Sequence, residues 1–360
     1  MSRRIDAPGK NGQQEFLSLG VKEVIASARA MPRSPHRDLT NYNSDFTSAE
    51  VGRRGLIVHT DCFEWLRRAP EASIQAVVTD PPYGVKEFEA DQLTKRKNGV
   101  GGIWRLPPSF DGSKRAPMPR FTALNGKERR QLIEFFTEWS KLLERVLVPG
   151  AHVFIACNTF LSQLVYQAVV DGGLEYRGEM IRLVTTFRGG DRPKNYDKEF
   201  PDLCTLPRGG FEPWGLFRKA IPEGMTVGKC LYKFRAGALR RITRDQPFGD
   251  VLPSERTSVR ERSISDHPSL KPQSFMRQIV RAAMPFDDGV LLDPFMGGGS
   301  TVAAAEALGL TCIGVERHTE YYQASLLAIP KLASVQLKSN IGSPRPDSSF
   351  EASDASSDFA

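Results

Sequence analysis

The chain has 360 residues, 40% of them hydrophobic, with 31 glycines, 25 prolines and a formal charge of +7. That is enough apolar material for one large domain, or one domain with a sizeable insert, and it excludes fibrous and low-complexity classes, while the basic balance suits a polyanionic partner. Five scattered cysteines without a Cys-x-x-Cys spacing argue against a disulfide framework or a zinc site; no metal is expected, and reduced thiols point to the cytoplasm.

Residues 1–54 are Arg-rich and weakly periodic, and read as a partly ordered extension. Met1 to Gly12 is polar and has no apolar core of signal-peptide type. No stretch approaches 18 uncharged apolar residues, so no membrane association is expected. Leu56-Ile57-Val58 and Ala76-Val77-Val78-Thr79 read as buried strands, with helical character between Cys62 and Arg68. Such a strand–helix–strand unit is the building block of a parallel sheet. From Val85 to Lys127 the chain is loop-like, rich in glycine and proline. A loop of that length in a compact domain is usually functional.

Lys127 to Leu147 predicts an amphipathic helix, with Leu132, Phe135, Phe136, Trp139, Leu142, Leu143 and Val146 on one face. Pro149-Gly150 is expected to stop it, and Ala151 to Ala156 to follow as a buried strand. Residues 175–265 break the alternation; they hold 18 basic against 12 acidic residues, and the loop 85–130 holds 11 against 5. Two irregular, basic segments are what a footprint for a phosphate backbone would look like, although solvated surface loops can carry the same charge. Regularity returns with a helix over 275–283, a strand over 290–292, a helix over 300–308, a strand over 311–315 and a closing helix over 320–327. Residues 340–360 are rich in Ser, Asp and Ala, with little that could pack.

Two motifs carry chemistry. Asp293-Pro294-Phe295-Met296-Gly297-Gly298-Gly299-Ser300 follows a strand and opens a helix. Successive glycines let a backbone approach a ligand closely, and a helix start offers N–H groups and a positive dipole end. Glu316 ends the next strand, 23 residues after Asp293, a spacing that suits ribose hydroxyls. A nucleoside-containing cofactor is therefore expected. The loop lacks the Gly-x-Gly-x-x-Gly spacing that favours a pyrophosphate, and its leading carboxylate would repel one. A sulfonium cofactor, S-adenosylmethionine, fits better than a dinucleotide. The second motif, Asp80-Pro81-Pro82-Tyr83-Gly84, also ends a strand. Its prolines pin the backbone and lack N–H donors. Asp80 and the Pro81 carbonyl can accept both hydrogens of an NH2 group, and Tyr83 can stack on the ring that bears it.

Together these motifs resemble the amino-group DNA methyltransferases of bacteria and their phages. The order, with the Asp-Pro-Pro-Tyr motif first, resembles the permuted beta class of that family. His267-Pro268-Ser269-Leu270-Lys271-Pro272 is similar to the segment that class places before its cofactor strand. His59-Thr60-Asp61-Cys62-Phe63-Glu64 is similar to its Gly-Asp segment, with His59-Thr60 a departure. The resemblance covers roughly residues 55–85, 130–160 and 265–330. It implies an α/β fold: a doubly wound, mostly parallel sheet of the S-adenosylmethionine-dependent methyltransferase type, with an irregular insert for target recognition. It also implies that Asp293, Pro294, Phe295, Gly297 and Gly299 form the cofactor floor. Glu316 would hold the ribose and Asp61 would lie near the cofactor's adenine end. Ser300 and Lys271 would lie near its methionine carboxylate, and Asp80, Pro81, Pro82 and Tyr83 would hold the target base.

The expected organisation is an extension over 1–54, a catalytic half over 55–174 with its loop at 85–127, an insert over 175–265, a cofactor half over 266–335 and a disordered tail over 336–360. Double-stranded DNA is the expected substrate, in a bacterial or phage-infected cell. The resemblance also allows a homodimer and a cognate restriction endonuclease. C5-cytosine chemistry needs a thiolate, usually presented after proline, and the chain has no Pro-Cys dipeptide. The leading Asp80 favours adenine N6 and leaves N4-cytosine as the alternative. A silent nucleic-acid-binding module and a nicotinamide oxidoreductase are the readings from other classes. His267 and Lys271 also read as a hydrogen-bonded loop histidine and a surface lysine.

Overall fold

The computed structural model describes residues 39–42, 45–82, 124–184, 190, 192–193, 195–196 and 198–337, with the backbone of 109–110 and 113–114. Tyr83, most of the loop expected over 85–127, the first 38 residues and the tail from 338 lie outside the described residues.

The strands are β1 (Thr47–Val51), β2 (Gly55–His59), β3 (Ile74–Thr79), a two-residue hairpin of β4 (Ser109–Phe110) and β5 (Ser113–Lys114), β6 (Leu147–Ala156), β7 (Glu175–Leu183), β8 (Phe211–Arg218), β9 (Val251–Pro253), β10 (Val290–Asp293) and β11 (Thr311–Glu316). The helices are α1 (Cys62–Arg68), α2 (Gly126–Val146), α3 (Ser162–Asp171), α4 (Val227–Phe234), α5 (Val259–Ile264), α6 (Gln273–Ala283), α7 (Ser300–Leu308) and α8 (Thr319–Ala333). Nine strands form one sheet in the order β1-β2-β11-β10-β3-β6-β8-β7-β9. The five strands from β2 to β6 are mutually parallel; β8 runs antiparallel to both of its neighbours. The expected mostly parallel α/β sheet is borne out.

Burial on both faces explains why the central strands are continuous apolar runs. Alternate residues go to opposite layers. Leu56, Val58, Val77, Val153, Ile155 and Leu292 meet α1, α2 and α3 through Trp65, Phe136, Trp139 and Val165. Ile57, Ala76, Val78, Phe154 and Leu291 meet α6, α7 and α8 through Phe275, Ile279, Val302 and Ile329. The helix α2 starts where a capping box forms: Asn125 accepts from the Lys127 and Glu128 N–H groups, and Glu128 accepts from the Asn125 N–H.

Local differences from expectation have physical causes. The helix α2 ends at Val146, and Pro149-Gly150 lies inside β6. The β3–β6 register shifts between Ile74 and Ala76, opposite that stretch, and Gly150 takes φ +82°, so the Pro-Gly pair is absorbed in a bulge. The closing helix α8 runs on to Ala333 through Pro330, because Ile329 and Leu332 are fully buried there. Residues 175–265, read as an insert, contribute β7, β8 and β9 to the sheet. Trp214 and Phe217 of β8 are core residues with 0% exposure. Part of that segment's basic charge is also committed internally: Arg218 pairs with Glu175, Lys219 with Glu144, Arg235 with Asp288 and Arg240 with Asp287. No helix among the described residues is long and apolar enough to cross a membrane.

Phe136 is completely buried between Phe135 and Trp139. Phe136→Ala should lower the unfolding free energy by about 3–5 kcal/mol in urea titration; a loss below about 1 kcal/mol would mean that the α2 layer is not packed on the sheet as described.

Candidate active site

The parallel pairing of β10 with β3 sets Leu291 beside Ala76 and Leu292 beside Val77. The turns that follow, at Asp293 and at Asp80, therefore leave the sheet side by side at its carboxyl rim. The chain winds away from this point in both directions, through α7 to β11 and through α2 to β6. It is the switch point where open α/β sheets form a crevice. The Thr79 hydroxyl donates to Asp293 Oδ1 at 2.7 Å, and the Phe295 N–H donates to the same oxygen at 3.2 Å. Asp293 is thus a strut between the two turns. Burial pushes its carboxyl up to about 6; hydrogen bonds from Thr301, Thr79 and the Phe295 N–H oppose the rise, and the nearby Asp80 charge adds to it.

The glycine run forms a tight turn closed by Gly299 N–H to Met296 O at 3.0 Å. Gly297 and Gly299 have φ of +53° and +80°. A Cβ on Gly297 would lie 2.8 Å from His267 Cε1, and one on Gly299 would lie 2.5 Å from Ile329 Cγ1. Along these directions the space expected for a ligand is filled by the protein's own side chains. The His267 ring lies edge-on to Tyr321 at 4.4 Å, and its Nδ1 accepts from the Ser269 N–H at 3.3 Å. Burial, with Lys271 and Arg262 nearby, pushes its imidazole down to about 4, so it is neutral near pH 7. It is a loop-packing histidine, the plainer of its two sequence readings.

Glu316 ends β11 with only 7% exposure. Its Oε2 accepts from the Gly297 N–H at 2.9 Å and its Oε1 from the His318 N–H at 2.7 Å. Each oxygen keeps a further lone pair. The Thr60 N–H donates to the Glu316 carbonyl at 3.1 Å, which brings the end of β2 alongside. Asp61 follows there and caps α1 by accepting from the Phe63 N–H at 2.9 Å. Pro294 is buried, and Phe295 lies against Trp139 and Phe135, with ring centroids 5.7 and 6.1 Å away. Ser300 opens α7; its Oγ accepts from the Lys271 N–H at 3.1 Å and its carbonyl from Gln273 Nε2 at 2.9 Å.

Across the crevice, Pro81 is buried and Pro82 exposed. Asp80 Oδ2 accepts from Lys271 Nζ in an ion pair whose side chains are 17% and 11% exposed. The Lys271 ammonium also lies 3.9 Å from Glu212 Oε1. So the backbone of Lys271 touches Ser300, while its ammonium goes to Asp80. Sequence reasoning missed Thr79, Glu212 and Asn158. Glu212 lies on β8 and meets Lys271 from far along the chain, so no local window of sequence marks it. Asn158 follows β6, is 1% exposed and has no partner for its Nδ2 among the described residues; a single asparagine after a strand gives no signal in sequence.

The donor set fits a sulfonium-bearing nucleoside. A pinned carboxylate with spare lone pairs suits a ribose diol, and acidic groups line a rim where a phosphate would be repelled. Comparison with known proteins agrees. The family model of the N6/N4 DNA methylases matches residues 74–327, and the chain belongs to that family. Its members are amino-group methyltransferases, and S-adenosylmethionine is the methyl donor. The chain is 24% identical over 289 residues to the Type II methyltransferase M.HindIII of Haemophilus influenzae, spanning 75% of this chain and 93% of that one. It is 23% identical over 266 residues to the Type II methyltransferase M2.DpnII of Streptococcus pneumoniae, spanning 74% and 86%. The solved PvuII DNA methyltransferase, described as cytosine-N4-specific, shares the fold with a TM-score of 0.50 at 14% identity, covering 80% of this chain and 94% of that one.

The raised Asp293 carboxyl makes a pH prediction. In the folded chain it still holds its proton where the unfolded chain, with an ordinary value of 3.8, has lost it, up to about 6. The wild type therefore loses stability across that window, and an asparagine cannot titrate. Relative to Asp293→Asn, the wild type should lose about 2 kcal/mol between pH 4 and pH 7 in denaturant titrations. A pH-independent difference would contradict the burial of an ionisable group there.

Proposed function

We propose that the chain is an adenine-N6 DNA methyltransferase of the permuted beta class, acting on a base flipped out of double-stranded DNA. One observation carries the reading: the Thr79–Asp293 hydrogen bond ties the Asp80 turn to the glycine turn, so that a base amine and a methyl donor would meet across one crevice. Glu316 would hold the ribose, with Asp61 beside it at the adenine end. Asp293, Pro294, Phe295, Gly297 and Gly299 would shape the floor, and Ser300 would stand at the start of α7 by the methionine end.

When bound, S-adenosylmethionine supplies an electrophilic methyl group on its sulfonium. An exocyclic amine is a poor nucleophile, because its lone pair is delocalised into the ring. Asp80 and the Pro81 carbonyl would accept its two N–H groups, localising the lone pair and aiming it at the methyl carbon. The amine proton becomes acidic only once the new N–C bond forms, so Asp80 need not be a strong base before transfer. Tyr83 would replace the stacking that the flipped base loses. The leading aspartate supports adenine over cytosine.

Within residues 175–265, target recognition falls to the parts outside the sheet. The connection from β7 to β8 emerges at the same rim as Asp80 and exposes Tyr196 and Phe200. The Type II relatives support a cytoplasmic role in restriction and modification, with a cognate endonuclease as partner.

Expressed in a methylation-deficient host, the wild type should yield N6-methyladenine in digested DNA by mass spectrometry. Asp80→Ala should reduce incorporation by at least about 10³-fold while binding S-adenosylmethionine within a few-fold of wild type. N4-methylcytosine in place of the adenine product would overturn the base assignment. Comparable turnover in the variant would overturn the role of Asp80.

A further inference from the structure

We propose that Lys271 is a positioning residue for Asp80, holding its carboxylate in place for the target amine, and that the cofactor's carboxylate is not its ligand. The inference rests on the reading of Asp80 given above. The Lys271 side chain is 11% exposed, and an ammonium that deep requires acceptors. It has them in Asp80 Oδ2, its direct partner, and Glu212 Oε1 at 3.9 Å.

The support continues behind Glu212. Its Oε1 accepts from Trp214 Nε1 at 2.9 Å, and its Oε2 accepts from Arg182 Nη1 at 3.2 Å. Arg182 donates in turn to Ser254 Oγ and the Glu255 carbonyl, and its guanidinium lies over the Phe275 ring. Asp80, Lys271, Glu212 and Arg182 thus alternate in sign from the crevice into the sheet, with each charge held by the next. The backbone of Lys271 is fixed independently by Ser300 Oγ, and the preceding Leu270 carbonyl by Thr257 Oγ1 at 2.6 Å.

This arrangement suits the chemistry. A carboxylate offers about four lone-pair sites, and Lys271 engages Asp80 through Oδ2. An ammonium donates and cannot accept, so the carboxylate it holds presents acceptor capacity to an incoming N–H. Glu212 offsets the positive charge that Lys271 would otherwise set against an amine becoming cationic during transfer. A side chain acting through another in this way should alter the chemical step, because a displacement of about 1 Å in a reacting group can cost about 10²-fold in rate.

The test uses the full-length chain with Lys271→Met, Lys271→Arg and Glu212→Gln. It measures kcat and KM for DNA and, separately, the Kd of S-adenosylmethionine by calorimetry. Lys271→Met should lower kcat about 10²-fold, with cofactor Kd within about threefold of wild type. Lys271→Arg, which keeps the charge, should recover at least a tenth of wild-type kcat. Glu212→Gln should lower kcat in the same direction by a smaller factor. Should Lys271→Met fail to melt cooperatively, Lys271→Gln takes its place beside Glu212→Gln. Cofactor binding weakened tenfold or more, with kcat intact at saturation, would assign Lys271 to the cofactor and overturn the proposal. Wild-type kcat in the variants would overturn it as well. A wild type that transfers no methyl group to DNA would instead count against the underlying function.

Discussion

The pairing of β10 with β3, completed by the Thr79–Asp293 hydrogen bond, is the constraint on which the site depends. Asp80 and Asp293 are 213 residues apart in sequence, and no local preference could bring them together. Burial of both sheet faces does so. Leu291, Leu292, Ala76 and Val77 are all fully buried, and parallel pairing in that register is what places them there. A slip by one residue would send each of these side chains to the opposite layer. The apolar pattern therefore fixes which two turns become neighbours, and the hydrogen bond fixes how closely. Its cost is a carboxylate in an apolar interior, with its protonation pushed up to about 6.

Charge at the rim is placed in a graded way. Asp293 is buried and structural. Glu316 is nearly as buried, but its two oxygens are oriented by backbone N–H groups on either side and keep further lone pairs. Asp80 is the most accessible of the three and carries a cation. Three carboxylates at one rim thus differ in setting through depth and partners alone. The backing chain from Lys271 to Arg182 reaches strands β7 and β8, so the part of the sheet formed by residues 175–218 supports the Asp80 side of the crevice.

The central strands, α1, α2 and α7, and both motif turns were legible in sequence, because each combines a strong apolar period with a boundary signal. The strands β7 and β8 were not. β7, Glu175 to Leu183, carries Arg177, Glu179 and Arg182 along its length, and β8 holds a Pro and a Gly, so neither reads as an apolar run. Arg182 is buried through Glu212, Ser254 and Glu255, partners that no local window contains. The glycine turn was found for a reason the structure changes: Gly297 and Gly299 clear space for His267 and Ile329. Lys271 was recognised as a site residue, but the destination of its ammonium depends on Asp80, nearly two hundred positions away.

The adjacency of the two turns is tested most directly by the crystal structure of the chain with S-adenosylhomocysteine. The ribose hydroxyls should lie on the Glu316 carboxylate, and the sulfur should face open space bounded by Asp80 and the Pro81 carbonyl. Electron density with the ribose elsewhere, or with packed side chains between the sulfur and Asp80, would contradict this placement.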